Sequence, residues 1–496
     1  MVRTEQTAAP VTIPFARRQV VTISLALLVV LLAMSPLYGY FRDELYFRML
    51  GKQPAFGYFD TPPLAPLVAR FSIDLFGDTV VALRIIPALT AALVVVLVAL
   101  ICRELGGGRK AQILAAGGMA VSGMAMLAGH MLLTLTFDLA LWSAAILFIV
   151  RALLRDGRWW FAVGVVAGVA TYNRHLILLL VLSVAVGILA VGPRNVLSDR
   201  RLWAGAMLAA VIALPNLAYQ LTHDWPQLTM VKALEEHNGT KNRLMFLPMQ
   251  ITLLGPPFAV IGVAGLVRLW RDSRLRCFVV AYPVAAALIL YSGGRPDYIA
   301  GILVLLFAAG CEPTVQWMST SGRRKLLTWA IALTTVLNVS AMLPVIPASV
   351  VGSTPFATTN EVTAESIGWP EFADQVAAVV HDLPPGERAE TVLLAQNYGQ
   401  AGILDRYADE LDLPKVYSGH NELYFRGPPP ETARQVITVT RDPKTQATPF
   451  FASCEERGRI DAGVDIDNQE NGKLILLCRD PIRPWQQLWP SFRKHN

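Results

Sequence analysis

Charge is scarce in this chain. Only 16% of its 496 residues are Asp, Glu, Lys or Arg, whereas soluble domains carry about a quarter, so water is excluded as its main solvent. Cysteine is scarce too. There are five, none in a CxxC spacing, and neither an HExxH motif nor a glycine-rich phosphate loop occurs, which removes the usual zinc and nucleotide readings. No internal repeat is visible, although transporters are commonly built from one. What the chain does have is apolar: 54% of residues are hydrophobic and the mean hydropathy is +0.44. The apolar residues gather in long runs between residues 19 and 347, and a bilayer core of roughly 30 Å demands such runs of a helix.

The runs predict eleven spans, at residues 19–37, 81–101, 111–128, 138–150, 159–172, 175–192, 203–221, 249–267, 277–291, 298–312 and 326–347. The first is not read as a cleaved signal. It lacks a small-residue cleavage pattern and continues into Tyr38-Gly39-Tyr40, an aromatic group suited to a membrane interface. Lys and Arg accumulate in short cytoplasmic loops. With the N-terminus inside, the inside segments hold nineteen cations, from Arg3, Arg17 and Arg18 to Arg323, Arg324 and Lys325, against nine in the longer outside segments. The same rule splits 159–192 into a short re-entrant hairpin turning at Asn173-Arg174-His175.

The expected layout is a cytoplasmic tail (1–18), a membrane domain (19–347) with its first outward loop at 38–80, and an extracytoplasmic soluble α/β domain (348–496). In the last, Trp369–His381 reads as a helix, and Thr391–Ala395, Val436–Thr440 and Leu474–Cys478 read as strands. Cys454 and Cys478 are its two cysteines, suited to a disulfide in an oxidising compartment or to two separate buried thiols.

Charges close to the hydrophobic region are expensive, so they mark candidate sites. The first outward loop carries Asp43 and Glu44, then Asp60. Arg84 opens the second span and Asp138 the fourth; Arg174 and His175 lie at the hairpin turn, and Arg295, Asp297 and Tyr298 precede the tenth span. All face one aqueous side. Asp60, before Thr61-Pro62-Pro63, also fits a helix cap, and Asp138 also fits a helix N-terminus that favours an anion. Carboxylates and arginines together at a membrane surface suit a substrate with an anionic head and an apolar tail, with a carboxylate as base and arginines on phosphate. A polyprenyl-phosphate sugar is such a substrate. Its phosphate is already a good leaving group, so one base and a set of cations suffice.

Asp43-Glu44 after the first span, Gly57-Tyr58-Phe59-Asp60-Thr61-Pro62-Pro63-Leu64, Arg84, and Gly294-Arg295-Pro296-Asp297-Tyr298-Ile299-Ala300-Gly301 together resemble the GT-C glycosyltransferases of family 39. These are relatives of the protein O-mannosyltransferases and of the aminoarabinose transferase that modifies lipid A. The resemblance covers roughly residues 20–315; Ile367-Gly368-Trp369-Pro370 and Tyr417-Ser418-Gly419-His420-Asn421 also look like bacterial members.

The resemblance implies an α-helical polytopic GT-C fold of about eleven transmembrane helices. It also implies an inverting sugar transfer from a polyprenyl-phosphate donor to a glycan, lipid or protein acceptor at the outer face of the plasma membrane. Asp43 would be the base, with Glu44 supporting it. Asp60, Arg84, Asp138, Arg174, His175, Arg295 and Tyr298 would bind substrate. The sequence assigns no cofactor and leaves a divalent metal near Asp43, Glu44 and Asp60 open, three unspaced carboxylates being a weak set. Membrane lipids are expected partners and nucleic acid is not. The alternative is a transporter or flippase of lipid-linked sugars.

Overall fold

The computed structural model of the chain describes residues 13–356 and 361–495. Residues 1–12 of the expected tail, Arg3 among them, lie outside the described residues. The chain enters through α1 (Arg17–Met34), and the first loop folds as α2 (Arg42–Gly51) and α3 (Leu64–Phe76). Then come α4 (Val80–Glu104), α5 (Arg109–Ala120), α6 (Gly123–His130), α7 (Thr134–Leu154), α8 (Trp159–Ala170), α9 (Ile177–Val191) and α10 (Arg200–Thr222). The membrane part closes with α11 (Pro226–Leu254), α12 (Pro256–Arg271), α13 (Arg276–Tyr291), α14 (Ala300–Trp317) and α15 (Ser321–Met342).

Every expected span overlaps a helix, but the helices are not eleven equal rods. Among the described residues six are long and apolar enough to cross a membrane: α1, α4, α7, α10, α14 counted from Pro296, and α15. Two bent pairs, α5 with α6 by 54° and α11 with α12 by 101°, pass the same test only when each pair is taken together, as a broken span or a re-entrant loop. The helices α8, α9 and α13 are apolar but shorter.

The expected single span at 249–267 is therefore corrected. It contains the sharp bend, because Gly255 adopts a φ of 101° and Pro256-Pro257 follow it; a side chain resists the first conformation and a helix interior resists the second. The expected break within 159–192 is found at residues 171–176, with α8 (Trp159–Ala170) and α9 (Ile177–Val191) as its arms. The arms pack on other helices. A Cβ at Gly164 of α8 would overlap the Gly205 carbonyl of α10, and one at Gly187 of α9 would overlap the Cys277 carbonyl of α13. Small residues let helix backbones approach this closely where lipid removes the hydrophobic incentive to associate.

After α15 the chain builds a five-stranded sheet in the order β2-β1-β3-β5-β4. Its strands are β1 (Thr391–Ala395), β2 (Val416–Ser418), β3 (Gln435–Thr440), β4 (Phe451–Arg459) and β5 (Leu474–Pro481). The parallel strands β2, β1 and β3 join the antiparallel pair β5 and β4, and a helix covers Trp369–His381. Cys454 and Cys478 face each other across β4 and β5 and are disulfide-bonded.

This domain rests on α2. Leu45 packs against Gly402, where a Cβ would come within 2.7 Å of the Leu45 Cβ. The buried Arg48 guanidinium lies 2.6 Å from Asp78 in the first loop and 2.6 Å from Asp405 in the domain. One apolar core runs from Leu83 and Phe137 through Leu45 and Leu50 to Leu393 and Ile437. The first loop is thus held between the membrane helices and the sheet.

Candidate active site

Adjacent helical residues point in different directions, and α2 uses this to separate its two acids. Asp43 lines a cavity of about 710 Å3, and its Oδ1 accepts a hydrogen bond from the Tyr398 hydroxyl at 2.9 Å. Glu44 turns inward and is fully buried. Its oxygens accept from Arg84 at 2.8 and 3.1 Å, from the Leu132 backbone N–H at 3.0 Å, and from the Phe41 N–H at 2.9 Å. The last bond satisfies the N-cap N–H of α2, whose N-cap Phe41 has no side-chain acceptor of its own. Arg84 also donates to the carbonyls of Ser35 at 2.8 Å and Gly39 at 2.5 Å. Both side chains are buried, 1% exposed for Arg84 and 0% for Glu44, and neither lines the cavity, so the pair anchors the base of the first loop.

Asp60 lines the same cavity. Tyr46 donates to it at 2.7 Å and Asn421 at 3.0 Å. Burial pushes its carboxyl up to about 7, against the lowering effect of those hydrogen bonds. Asp60 does not cap α3, which begins after Pro63 with no side-chain cap.

Across the cavity lie the cations. Arg295 places Nε 3.0 Å from Asp297 Oδ1. Arg174 places Nη1 3.2 Å from Asp138 and 3.6 Å from Asp297, with its guanidinium 5.3 Å from the Tyr298 ring centre. Asp138 receives a second bond from Asn173 at 2.7 Å. It lies one turn inside α7, whose N-cap is Leu133, so it is neither a cap nor a cavity-lining group; it aims Arg174. Asp297 aims both arginines. Arg295 keeps 53% of its side chain exposed, leaving donors toward the cavity. His175 is tied to α10 through Asn216 at 2.8 Å. The remaining wall combines apolar side chains, Leu176, Leu179, Leu217, Leu228, Val231 and Leu288, with polar ones such as Gln220, Gln227, His237 and Asn238.

Of the residues expected from sequence, Asp43, Asp60, Arg174, His175, Arg295 and Tyr298 share this cavity, and Glu44, Arg84 and Asp138 stand behind it. Sequence reasoning missed Tyr46, Gln220, Gln227, Tyr398 and Asn421 as lining groups. Only Asn421 had a signal, since it ends the Tyr417–Asn421 segment noted for its resemblance. The three carboxylates considered for a divalent metal do not converge, because Glu44 faces Arg84. Among the described residues no three His, Cys, Asp or Glu side chains group as metal ligands.

The family described as dolichyl-phosphate-mannose-protein mannosyltransferase matches residues 60–219. ArnT from Cupriavidus metallidurans superposes in its apo state with a TM-score of 0.57 at 17% identity, covering 93% of this chain and 97% of that one. Its undecaprenyl-phosphate-bound structure gives 0.58 at 17% identity, covering 92% and 97%. The chain has the GT-C glycosyltransferase fold. Arabinofuranosyltransferase AftD from Mycobacteria shares it more distantly, with a TM-score of 0.51 at 14% identity over 93% of this chain and 41% of that one. No curated protein sequence matches the chain. As a GT-C fold with several apolar helices the chain is a multi-pass membrane protein. The family match includes Asp60, Arg84, Asp138, Arg174 and His175 but ends before Arg295 and begins after Asp43.

Proposed function

We propose that this chain transfers a sugar from a polyprenyl-phosphate donor to an acceptor hydroxyl of a lipid, polysaccharide or protein at the outer face of the plasma membrane. The observation that carries the proposal is one cavity joining three chemistries: a carboxylate at Asp43, two aspartate-anchored arginines, and a leucine-lined wall. Its volume of about 710 Å3 suits a sugar phosphate with the first part of an apolar tail, within the usual range for ligand sites. The undecaprenyl phosphate bound to ArnT is a ligand of this class.

In the reaction, Asp43 takes the proton of the acceptor hydroxyl as its oxygen attacks the anomeric carbon. The bond from that carbon to the phosphate oxygen breaks, and the electron pair leaves with the phosphate. Arg174 and Arg295 receive the charge, and their fixed geometry spares reorganisation during the step. Attack from the face opposite the leaving group inverts the anomeric centre. The distribution of cations supports a cytoplasmic N-terminus, and the Cys454–Cys478 bond suits an extracytoplasmic C-terminal domain.

The test uses purified protein and a panel of polyprenyl-phosphate sugars, with transfer and donor hydrolysis as readouts. Asp43→Asn keeps an acceptor for the Tyr398 hydroxyl but removes the base, and is expected to abolish both. Wild-type rates in that variant would overturn the mechanism.

A further inference from the structure

The Asp43 carboxylate is reached by a side chain from the far end of the chain. Tyr398 opens the helix Tyr398–Arg406, which is capped by Asn397 accepting from the Gln400 N–H at 2.9 Å. Its ring is stacked between Tyr46, with centroids 4.6 Å apart, and His420, 4.9 Å apart. Its backbone N–H donates to His420 Nδ1 at 3.1 Å. Ring and backbone are both fixed, so the hydroxyl has one place to go, 2.9 Å from Asp43 Oδ1.

The two stacked tyrosines divide the acids between them, Tyr46 donating to Asp60 and Tyr398 to Asp43. Burial and the nearby Asp43 charge raise the Tyr398 phenol above its ordinary value, so it stays a protonated donor. A phenol occupying one carboxylate oxygen leaves the other for the acceptor, and it fixes the plane of the carboxylate.

We propose that Tyr398 is a positioning residue for the base, so that the C-terminal sheet domain is an integral part of the active site. This rests on the reading of Asp43 as base. Removing the hydroxyl loses a hydrogen bond to a charged group, and bonds of that kind correspond to about a ten- to hundredfold effect. Because Tyr398 touches the base and not the phosphate, the loss falls on kcat and leaves KM for the donor near its wild-type value.

The experiment measures transfer kinetics and thermal unfolding for wild type, Asp43→Asn, Tyr398→Phe and the double variant, all full-length. Tyr398→Phe keeps both ring stacks. The expected result is a tenfold or greater fall in kcat with KM and unfolding midpoint unchanged, and no further fall when Tyr398→Phe is added to Asp43→Asn. Wild-type kcat in Tyr398→Phe, or a rise in KM alone, overturns the inference while an inactive Asp43→Asn leaves the assigned base standing. An active Asp43→Asn instead overturns the mechanism itself. Should Tyr398→Phe fail to fold, 3-fluorotyrosine at 398 keeps the ring and hydroxyl but acidifies the phenol. It is expected to change kcat at constant KM, and an unchanged kcat overturns the inference equally.

Discussion

Glu44→Gln separates support from chemistry at the acid beside the assigned base. The substitution keeps the volume and one carbonyl acceptor but removes the charge opposite Arg84, whose side chain is 1% exposed against 0% for Glu44. Removing one partner of a buried ion pair costs about 3–5 kcal/mol, because the other charge is left uncompensated. Here the guanidinium keeps the Ser35 and Gly39 carbonyls, which places the loss near the lower end, about 3 kcal/mol. The purified variant is expected to unfold several degrees below wild type. Its folded fraction, assayed below that midpoint, is expected to keep far more activity than Asp43→Asn. A variant that unfolds like wild type yet transfers no sugar would refute this reasoning and put Glu44 on the substrate.

Arg174→Ala and Arg295→Ala each remove a charged donor from the phosphate side and are expected to raise KM for the donor by about ten- to hundredfold. Arg295→Lys recovers only part, because an ammonium lacks the planar fork; unchanged donor KM in both alanine variants refutes the phosphate role. Asp60 gives a pH signature. Its carboxyl is raised to about 7 against about 3.9 in an unfolded chain, so the folded protein holds a proton that the unfolded chain has released. That stabilising contribution is whole below about pH 4 and is lost as pH rises to 7. The wild-type unfolding midpoint, relative to Asp60→Asn, is therefore expected to fall across this window, and parallel profiles refute it.

The membrane helices were legible because each forms on a continuous apolar run, including α8, α9 and α13, which are shorter than a full span. The bend at Gly255 was not, since no charge interrupts 249–267 and only Gly-Pro-Pro marks the turn. In the sheet domain, Trp369–His381 and Thr391–Ala395 form at their expected bounds. The strand β2 is three residues long, and β4, Phe-Ala-Ser-Cys-Glu-Glu-Arg-Gly-Arg, is an exposed edge strand whose charges hide its period. At the site, sequence proximity identified Asp43 and Glu44 together but said nothing of azimuth around α2, which sends them to opposite sides. Asp297 was legible only as a charge before the tenth span; in the fold it is the anchor of two arginines. Tyr398 had no local signal, because its meaning depends on a contact across two domains.

The bond between Tyr398 and Asp43 joins residues 355 positions apart, and this gives the site a timetable. At synthesis rates of about 5–20 residues per second, roughly 20–70 s separate the emergence of the first partner from that of the second. Through that interval a nascent chain carries Asp43 without its Tyr398 partner. On the assignment above, the base gains its support only when the last-made domain has folded back onto the first loop.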